Sequence, residues 1–395
     1  MDVVSPLPAL AALCVALAVV FFLARIFGTP DQPGRYAAID GLRGYLALFV
    51  FFHHACIWYF FLRSDNWAIP PSNLYTHFGQ SSVVMFFMIT AFLFFSKLLD
   101  ARARPFDWLR LFISRLLRLV PLYFFAMVVL FGIVAILSGG VLSDSIGHLA
   151  IGAIRWLSFT ILGTPDLNHF VGTYLIVAGV TWSLPYEWVF YLALPLLAVA
   201  VRARVGVLYI AASAICLALM LLVWHPQWLY LAAFGAGMIA AIIARSGRFQ
   251  TLASTHISSA IIVAILVAIL VLFPTIEGIA PMLLLTLVFT LIACGNSLFG
   301  ILTHAVSRTL GEMSYSIYLL HGIVLFMFFR FVIGLDQAEA FSPFMHWLCI
   351  VGLTPILLVL CFFTYMLIER PAMRCTQAVS NWLRRRRSAA VEPAA

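Results

Sequence analysis

Arg43 and His54 stand eleven positions apart in one apolar stretch of the chain, residues 41 to 62. On a helix, eleven steps of about 100° make three turns plus about 20°, so both side chains project from one face, separated by about 16 Å along the axis. An imidazole titrates near neutral pH, so it can take a proton and return it, which is the work of a general base. A His in such a run also serves as a neutral hydrogen-bonding partner for a neighbouring helix; the face it shares with Arg43 is what favours chemistry. His53 points about 100° away from that face and is read as structural support.

Arg115 and Arg118 form a second pair, at i and i+3, with Arg104 and Arg110 upstream and Pro121 downstream. Guanidinium groups pair bidentately with phosphate, so the pair reads as a clamp for a phosphorylated ligand; the plainer reading is a basic signal that fixes orientation in a membrane. In Thr181-Trp182-Ser183-Leu184-Pro185-Tyr186-Glu187-Trp188 a carboxylate lies inside an apolar run. An interfacial aromatic belt accounts for Trp182 and Trp188, but Glu187 needs a partner, expected to be a His or Arg on another helix. Ser314, Tyr315, Ser316, Tyr318 and His321 make a polar stripe entering another apolar run, and Glu369 closes the last one. Ordinary helix-to-helix hydrogen bonding is the competing account of these.

The elements that position these residues follow from composition. Hydrophobic residues fill 64% of 395 positions and charged residues 10%, a balance that would leave a water-soluble domain with large apolar patches. The solvent for this fold is lipid, where backbone polar groups are satisfied within helices or closed barrels. The apolar runs far exceed the ~10-residue alternating strands of a barrel, so the fold class is all-α, a polytopic transmembrane helical bundle. Spans are predicted at 7–27, 41–62, 79–96, 116–138, 177–201, 205–224, 228–244, 257–273, 279–299, 312–332 and 347–368, about eleven in all. Between the fourth and fifth, residues 146 to 162 are expected to form an interfacial or re-entrant helix. Seven cysteines fall mostly in apolar runs without paired spacing, which gives neither a disulfide frame nor a metal site. The net charge of +8 is read as membrane topology, not as nucleic-acid binding.

No Lys or Arg precedes the first span, so it is read as a retained helix whose start faces outward. With the N-terminus outside, 20 of the 23 basic residues fall on the cytoplasmic side, among them Arg25, Arg35, Lys97, Arg102, Arg104 and Arg384 to Arg387; Arg63, Arg155 and Arg330 are left outside. The basic C-terminal segment, 372–395, reads as a disordered tail drawn to lipid headgroups.

Five segments together resemble the acyltransferase-3 integral-membrane acyltransferases of bacterial surface and secreted glycans. Ile39-Asp40-Gly41-Leu42-Arg43-Gly44 leading to His54 is similar to the family's opening motif, an Arg, ten residues and a His. Arg115-Leu116-Leu117-Arg118, with Pro121-Leu122-Tyr123 following, resembles its Arg-x-x-Arg, and Thr181-Trp182-Ser183-Leu184 through Glu187, Phe190, Tyr191 and Pro195 its Trp-Ser-Leu-x-x-Glu. Ser314-Tyr315-Ser316-Ile317-Tyr318-Leu319-Leu320-His321 resembles Ser-Tyr-x-x-Tyr-x-x-His, and Glu369-Arg370-Pro371 the closing Glu-x-Pro. Thr90-Ala91-Phe92-Leu93 departs from the usual Ser-Gly-Phe-Leu, so packing or a substrate contact there is expected to differ.

The resemblance implies a ten-helix core over 36–371, with 1–35 an added N-terminal helix and linker. It implies an O-acyltransferase carrying an acyl group, acetyl first among candidates, from cytoplasmic acyl-CoA to a carbohydrate hydroxyl at the outer side of a bacterial inner membrane. His54 is then the base, with Arg43 and Glu187 beside it as catalytic residues. Arg115 and Arg118 hold the CoA phosphates, and Trp182, Tyr318, His321 and Glu369 contact substrate. Acyl-CoA is a substrate, with no permanently bound cofactor and no metal. Direct and acyl-histidine routes, acetyl and longer donors, and several glycan acceptors all fit these residues. The reading from another class is a transporter or flippase of a lipid-linked glycan, which buried His, Arg and Glu would also suit.

Overall fold

A computed structural model describes residues 2–28, 36–102 and 106–391, with side chains through Arg386. Arg35 and Arg104 lie outside the described residues. The chain is all-α; among the described residues the one extended feature is an isolated bridge between Leu167 and Phe170. In chain order the helices are α1 (Pro6–Phe27), α2 (Ala37–Ser64), α3 (Asn73–Asp100), α4 (Trp108–Leu137), α5 (Ile146–Leu157), α6 (Leu184–Ala200), α7 (Val207–Val223), α8 (Trp228–Arg245) and α9 (Gln250–Ala253). There follow α10 (His256–Leu272), α11 (Ile279–Ala293), α12 (Ala305–Glu312), α13 (Ser314–Met327), α14 (Leu335–Glu339), α15 (Pro343–Thr364), α16 (Arg370–Arg374) and α17 (Thr376–Val391).

Every predicted span falls on a helix, and eight helices are long and apolar enough to cross a membrane. Three expected spans are shorter: α7 and α10 have 17 residues and α11 has 15. At 1.5 Å per residue they cover about 23 to 26 Å, below the ~30 Å of a typical hydrocarbon core. The fifth span also departs from expectation. Its first residues form two short 3-10 turns, Thr173–Val177 and Val180–Ser183, and the α-helix proper begins at Leu184. Gly172, Ala178 and Gly179 take positive φ there, which breaks the helix and folds the chain back on itself.

Helix starts are written in the sequence as polar caps. Ser72 accepts from the Tyr75 amide, Asp107 from Arg110 at 3.1 Å, and Ser342 from Met345 at 3.2 Å, each satisfying a donor that the first turn leaves free.

Helix α2 is the centre of the bundle, packed by α3, α12 and α13. Gly41 and Gly44 share one side of it, and Gly311 answers from α12. A Cβ at Gly41 would run into the Leu302 backbone, one at Gly311 into the Asp40 carbonyl, and one at Gly44 would come within 2.6 Å of the Leu310 side chain. The glycines in the opening motif thus let two backbones touch, and that contact fixes the rotation of α2 and the direction in which Arg43 points.

Helix α1 lies against α15 and α12. Its entry is tied down by Trp347 Nε1 donating to the Val3 carbonyl and by the Tyr75 hydroxyl donating to that of Ser5, both at 2.8 Å. At one end of the bundle the basic residues gather: Arg245 pairs with Asp100, and Arg384 with Asp107. Where a disordered tail was expected, Thr376–Val391 is helical. It packs along α4, with Arg384 bonded to the Asp107 cap and Arg386 4.3 Å over the Trp382 ring.

Candidate functional site

Helices α2, α3, α4, α6 and α13 enclose a cavity of about 770 Å³, open mouth included. Arg43 enters it from α2, Thr90 and Lys97 from α3, Arg115 and Arg118 from α4, Glu187 and Tyr191 from α6, and Tyr315 from α13. A second cavity shares Arg43, Phe86, Leu119, Glu187 and Tyr315 with it and continues to Ser183, Ser314 and Tyr318. The two adjoin through these shared residues, the wider one rich in cations and the inner one lined largely by apolar side chains such as Val83, Phe87 and Leu184.

The wider cavity holds four cations, Arg43, Lys97, Arg115 and Arg118, against two carboxylates, Asp40 and Glu187, a formal excess of two positive charges. Among the described residues Arg43 and Arg118 form no ion pair. Lys97 and Arg115 both stand over the Phe94 ring, 5.2 and 4.9 Å from its centroid, so an aromatic face holds them in place of a counter-ion. Asp40, Glu187, Glu312 and Glu369 act on Arg43, and Glu369 on Arg118 as well, at longer range than an ion pair.

Glu187 finds different partners from those expected. Its Oε1 accepts from the Thr90 hydroxyl at 3.3 Å and its Oε2 from the Tyr191 hydroxyl at 2.6 Å, while Arg43 and Arg115 act on it through the field alone. Thr90 belongs to the departing Thr-Ala-Phe-Leu segment, so the hydroxyl there does reach the site. The Ala91 side chain faces Gly237, where any Cβ would collide with the Met88 backbone and the Ala91 methyl, so α8 supplies the small residue at this crossing.

Beyond Glu187, Tyr318 brings its hydroxyl within 2.8 Å of Ser183 Oγ and donates to the Val180 carbonyl at 3.1 Å. Ser314 also lines the second cavity, and its buried Oγ has no hydrogen-bond partner among the described residues. One turn after Tyr318, the fully buried His321 places Nε2 3.0 Å from Nδ1 of His54. His54 in turn lies 3.0 Å from the Val50 carbonyl and stacks on Trp67, ring centroids 6.1 Å apart, in the loop after α2. His53 turns to α3, bonding the Tyr75 carbonyl at 2.7 Å against Gly79.

Thus Arg43, Arg115, Arg118 and Glu187 meet in one cavity, Tyr318 stands at the end of its continuation, and His321 and His54 form a pair behind it; neither cavity is lined by His54 itself. Two of the other residues singled out in the sequence lie elsewhere. Trp182 is 39% exposed and packs on Tyr230 at 4.8 Å, and the buried Glu369 accepts from Ser316, bracing α13 from behind with Thr364. Sequence reasoning assigned no role to Tyr191, although it sits at i+4 from Glu187 on one helix face, a spacing that puts the two side chains in contact. Thr90 and Ser183 stood in segments of the resemblance without a role assigned to them, and Lys97 carried no local signal that would have joined it to the site.

Fold and site together define a polytopic helical membrane protein with a cation-rich chamber and, beyond it, a histidine pair in which His321 is fully buried and His54 half-buried. The acyltransferase domain of the acyltransferase 3 family matches residues 36–366, most of the chain, so the protein belongs to that family and is a membrane acyltransferase. No curated protein and no solved structure matches the chain.

Proposed function

We propose that the protein transfers an acyl group, acetyl first among candidates, from acyl-CoA to a hydroxyl of a surface or exported glycan. The observation that carries this reading is the chamber between α2, α3 and α4, where four cations face two carboxylates and from which an adjoining cavity extends as far as Tyr318. Phosphates of CoA neutralise that excess, with Arg115 and Arg118 as the bidentate clamp and Lys97 at the rim. The acyl-pantetheine arm then extends past Arg43 and Glu187 toward Tyr318, in the cavity that Ser183 and Ser314 also line. Trp182 and the loop after α2 border the acceptor's approach, while Glu369 acts on substrate only through α13.

His54 takes the proton of the acceptor hydroxyl as its oxygen attacks the thioester carbonyl. The tetrahedral intermediate collapses, the carbon–sulfur bond breaks, and the same proton passes to the thiolate, giving an ester and free CoA thiol. Arg43 offsets negative charge developing along the path, and Glu187 holds Tyr191 and Thr90 so that the arm meets a fixed wall. Half-buried and stacked on Trp67, His54 is open to an acceptor from the far side. Orientation with the N-terminus outside a bacterial inner membrane puts the basic mouth in the cytoplasm with acyl-CoA. The test is thiol release from acetyl-CoA by purified protein, with and without membrane glycan. Stimulation by glycan and an acyl ester on the glycan support the reading; acyl transfer to a lipid or protein hydroxyl alone would replace the acceptor.

A further inference from the structure

Both rings of the histidine pair are constrained by backbone carbonyls. His54 Nδ1 lies 3.0 Å from the Val50 carbonyl oxygen and His321 Nδ1 2.9 Å from that of Ile317. A carbonyl only accepts, so each Nδ1 carries the hydrogen. Among the described residues neither imidazole has a carboxylate in hydrogen-bond reach, and an unpaired charge on the fully buried His321 is costly, so that ring is neutral and its Nε2 is a bare lone pair. The 3.0 Å contact between His321 Nε2 and His54 Nδ1 then has one polarity: His54 donates and His321 accepts, the one Nδ1 hydrogen being shared between His321 Nε2 and the Val50 carbonyl. A second hydrogen on His321 Nε2 would point at the one already on His54 Nδ1. What remains free is Nε2 of His54.

His321 is itself held in place. The next residue, Gly322, packs so closely on the Val177 backbone of the 3-10 segment that any Cβ would overlap it, which fixes α13 against the chain that leads into α6. The Tyr318 ring lies 6.3 Å from the His321 ring on the cavity side.

We propose that His321 is a positioning residue: its lone pair, together with the Val50 carbonyl, holds His54 as the Nδ1–H tautomer, fixes the plane of the ring so that Nε2 faces the acceptor, and accepts a stronger hydrogen bond when His54 becomes charged on taking the proton. This rests on His54 being the base. It gives a neutral imidazole the place that a carboxylate fills in other histidine-based sites, so His54 is oriented without a buried negative charge beside the thioester.

The test compares His321→Ala, His321→Gln and His321→Glu with wild type and with His54→Ala, reading kcat, KM for acyl-CoA and the pH profile of kcat. Loss of the acceptor in His321→Ala lowers kcat by about 100-fold or more with little change in KM, while Gln, whose carbonyl can accept, restores a large part. Glu places a charged acceptor on Nδ1–H and moves the acid limb of the profile to higher pH by about one unit or more. Equal losses in all three variants with an unmoved acid limb overturn the proposal and leave His321 a packing residue. Nitrogen-15 spectra of histidine-labelled wild type, with His54 assigned from the His54→Ala spectrum, need no His321 variant: an Nε2–H tautomer at His54 overturns it too. Full activity in His54→Ala would instead remove the base assignment on which it rests.

Discussion

Tyr191 donates its hydroxyl to Oε2 of Glu187 at 2.6 Å, one turn along the same helix, while Thr90 reaches the other oxygen from α3. The carboxylate is therefore a joint between two helices in the chamber wall. Tyr191→Phe removes one donor to a charged acceptor, a bond worth about 1.5–3 kcal/mol, so kcat/KM should fall roughly 10- to 100-fold while the protein still inserts. Thiol-release kinetics on the purified variant check this, and unchanged kcat/KM would remove Tyr191 from the site.

Arg115→Ala and Arg118→Ala should raise KM for acyl-CoA about 10- to 100-fold with kcat within about threefold, the pattern of lost ground-state binding. Arg118→Lys should not fully rescue, since an ammonium cannot reproduce the guanidinium fork. The decisive comparison is acyl-pantetheine, which lacks the phosphates: with that donor, wild type and both alanine variants should converge. Equal penalties with both donors would contradict a phosphate clamp.

Much of the fold was legible because lipid imposes one rule on every span, and the positions of all eleven apolar runs coincide with helices. The 3-10 turns before Leu184 were not legible, since Thr173 to Ser183 is as apolar as a helix and its breaks lie in the φ of Gly172, Ala178 and Gly179. The order in 376–391 was missed because its composition reads as a polar tail, whereas the Arg384 bond to Asp107 joins residues 277 positions apart. Within the site, Arg43, Arg115, Arg118 and Glu187 stood out as ions in lipid. Thr90 and Tyr191 stood only as members of motif segments, without a role, because a hydroxyl in an apolar run is common and acquires meaning only beside the carboxylate. The His54 and His321 contact, across 267 positions, is a product of helix packing that no spacing encodes.

The glycine contacts around α2 predict opposite outcomes at two glycines. Gly44→Val places carbon where Leu310 and the Gly311 amide already stand, and should cost about 1–3 kcal/mol and lower the thermal midpoint in detergent by several degrees. Gly235→Ala, on α8, meets no atom within 4 Å and gains helix propensity, so its midpoint should hold or rise. Thermal unfolding followed by thiol-dye fluorescence separates the two; equal midpoints would mean that α2 and α12 do not touch backbone to backbone.

The central claim is that His54 takes the proton in an acyl-CoA reaction, and the direct measurement is release of free CoA thiol from acetyl-CoA by purified protein in detergent, wild type against His54→Ala. Release by wild type, accelerated by glycan and reduced to background in a His54→Ala protein that inserts and accumulates normally, is the predicted result. Undiminished release by His54→Ala would contradict it.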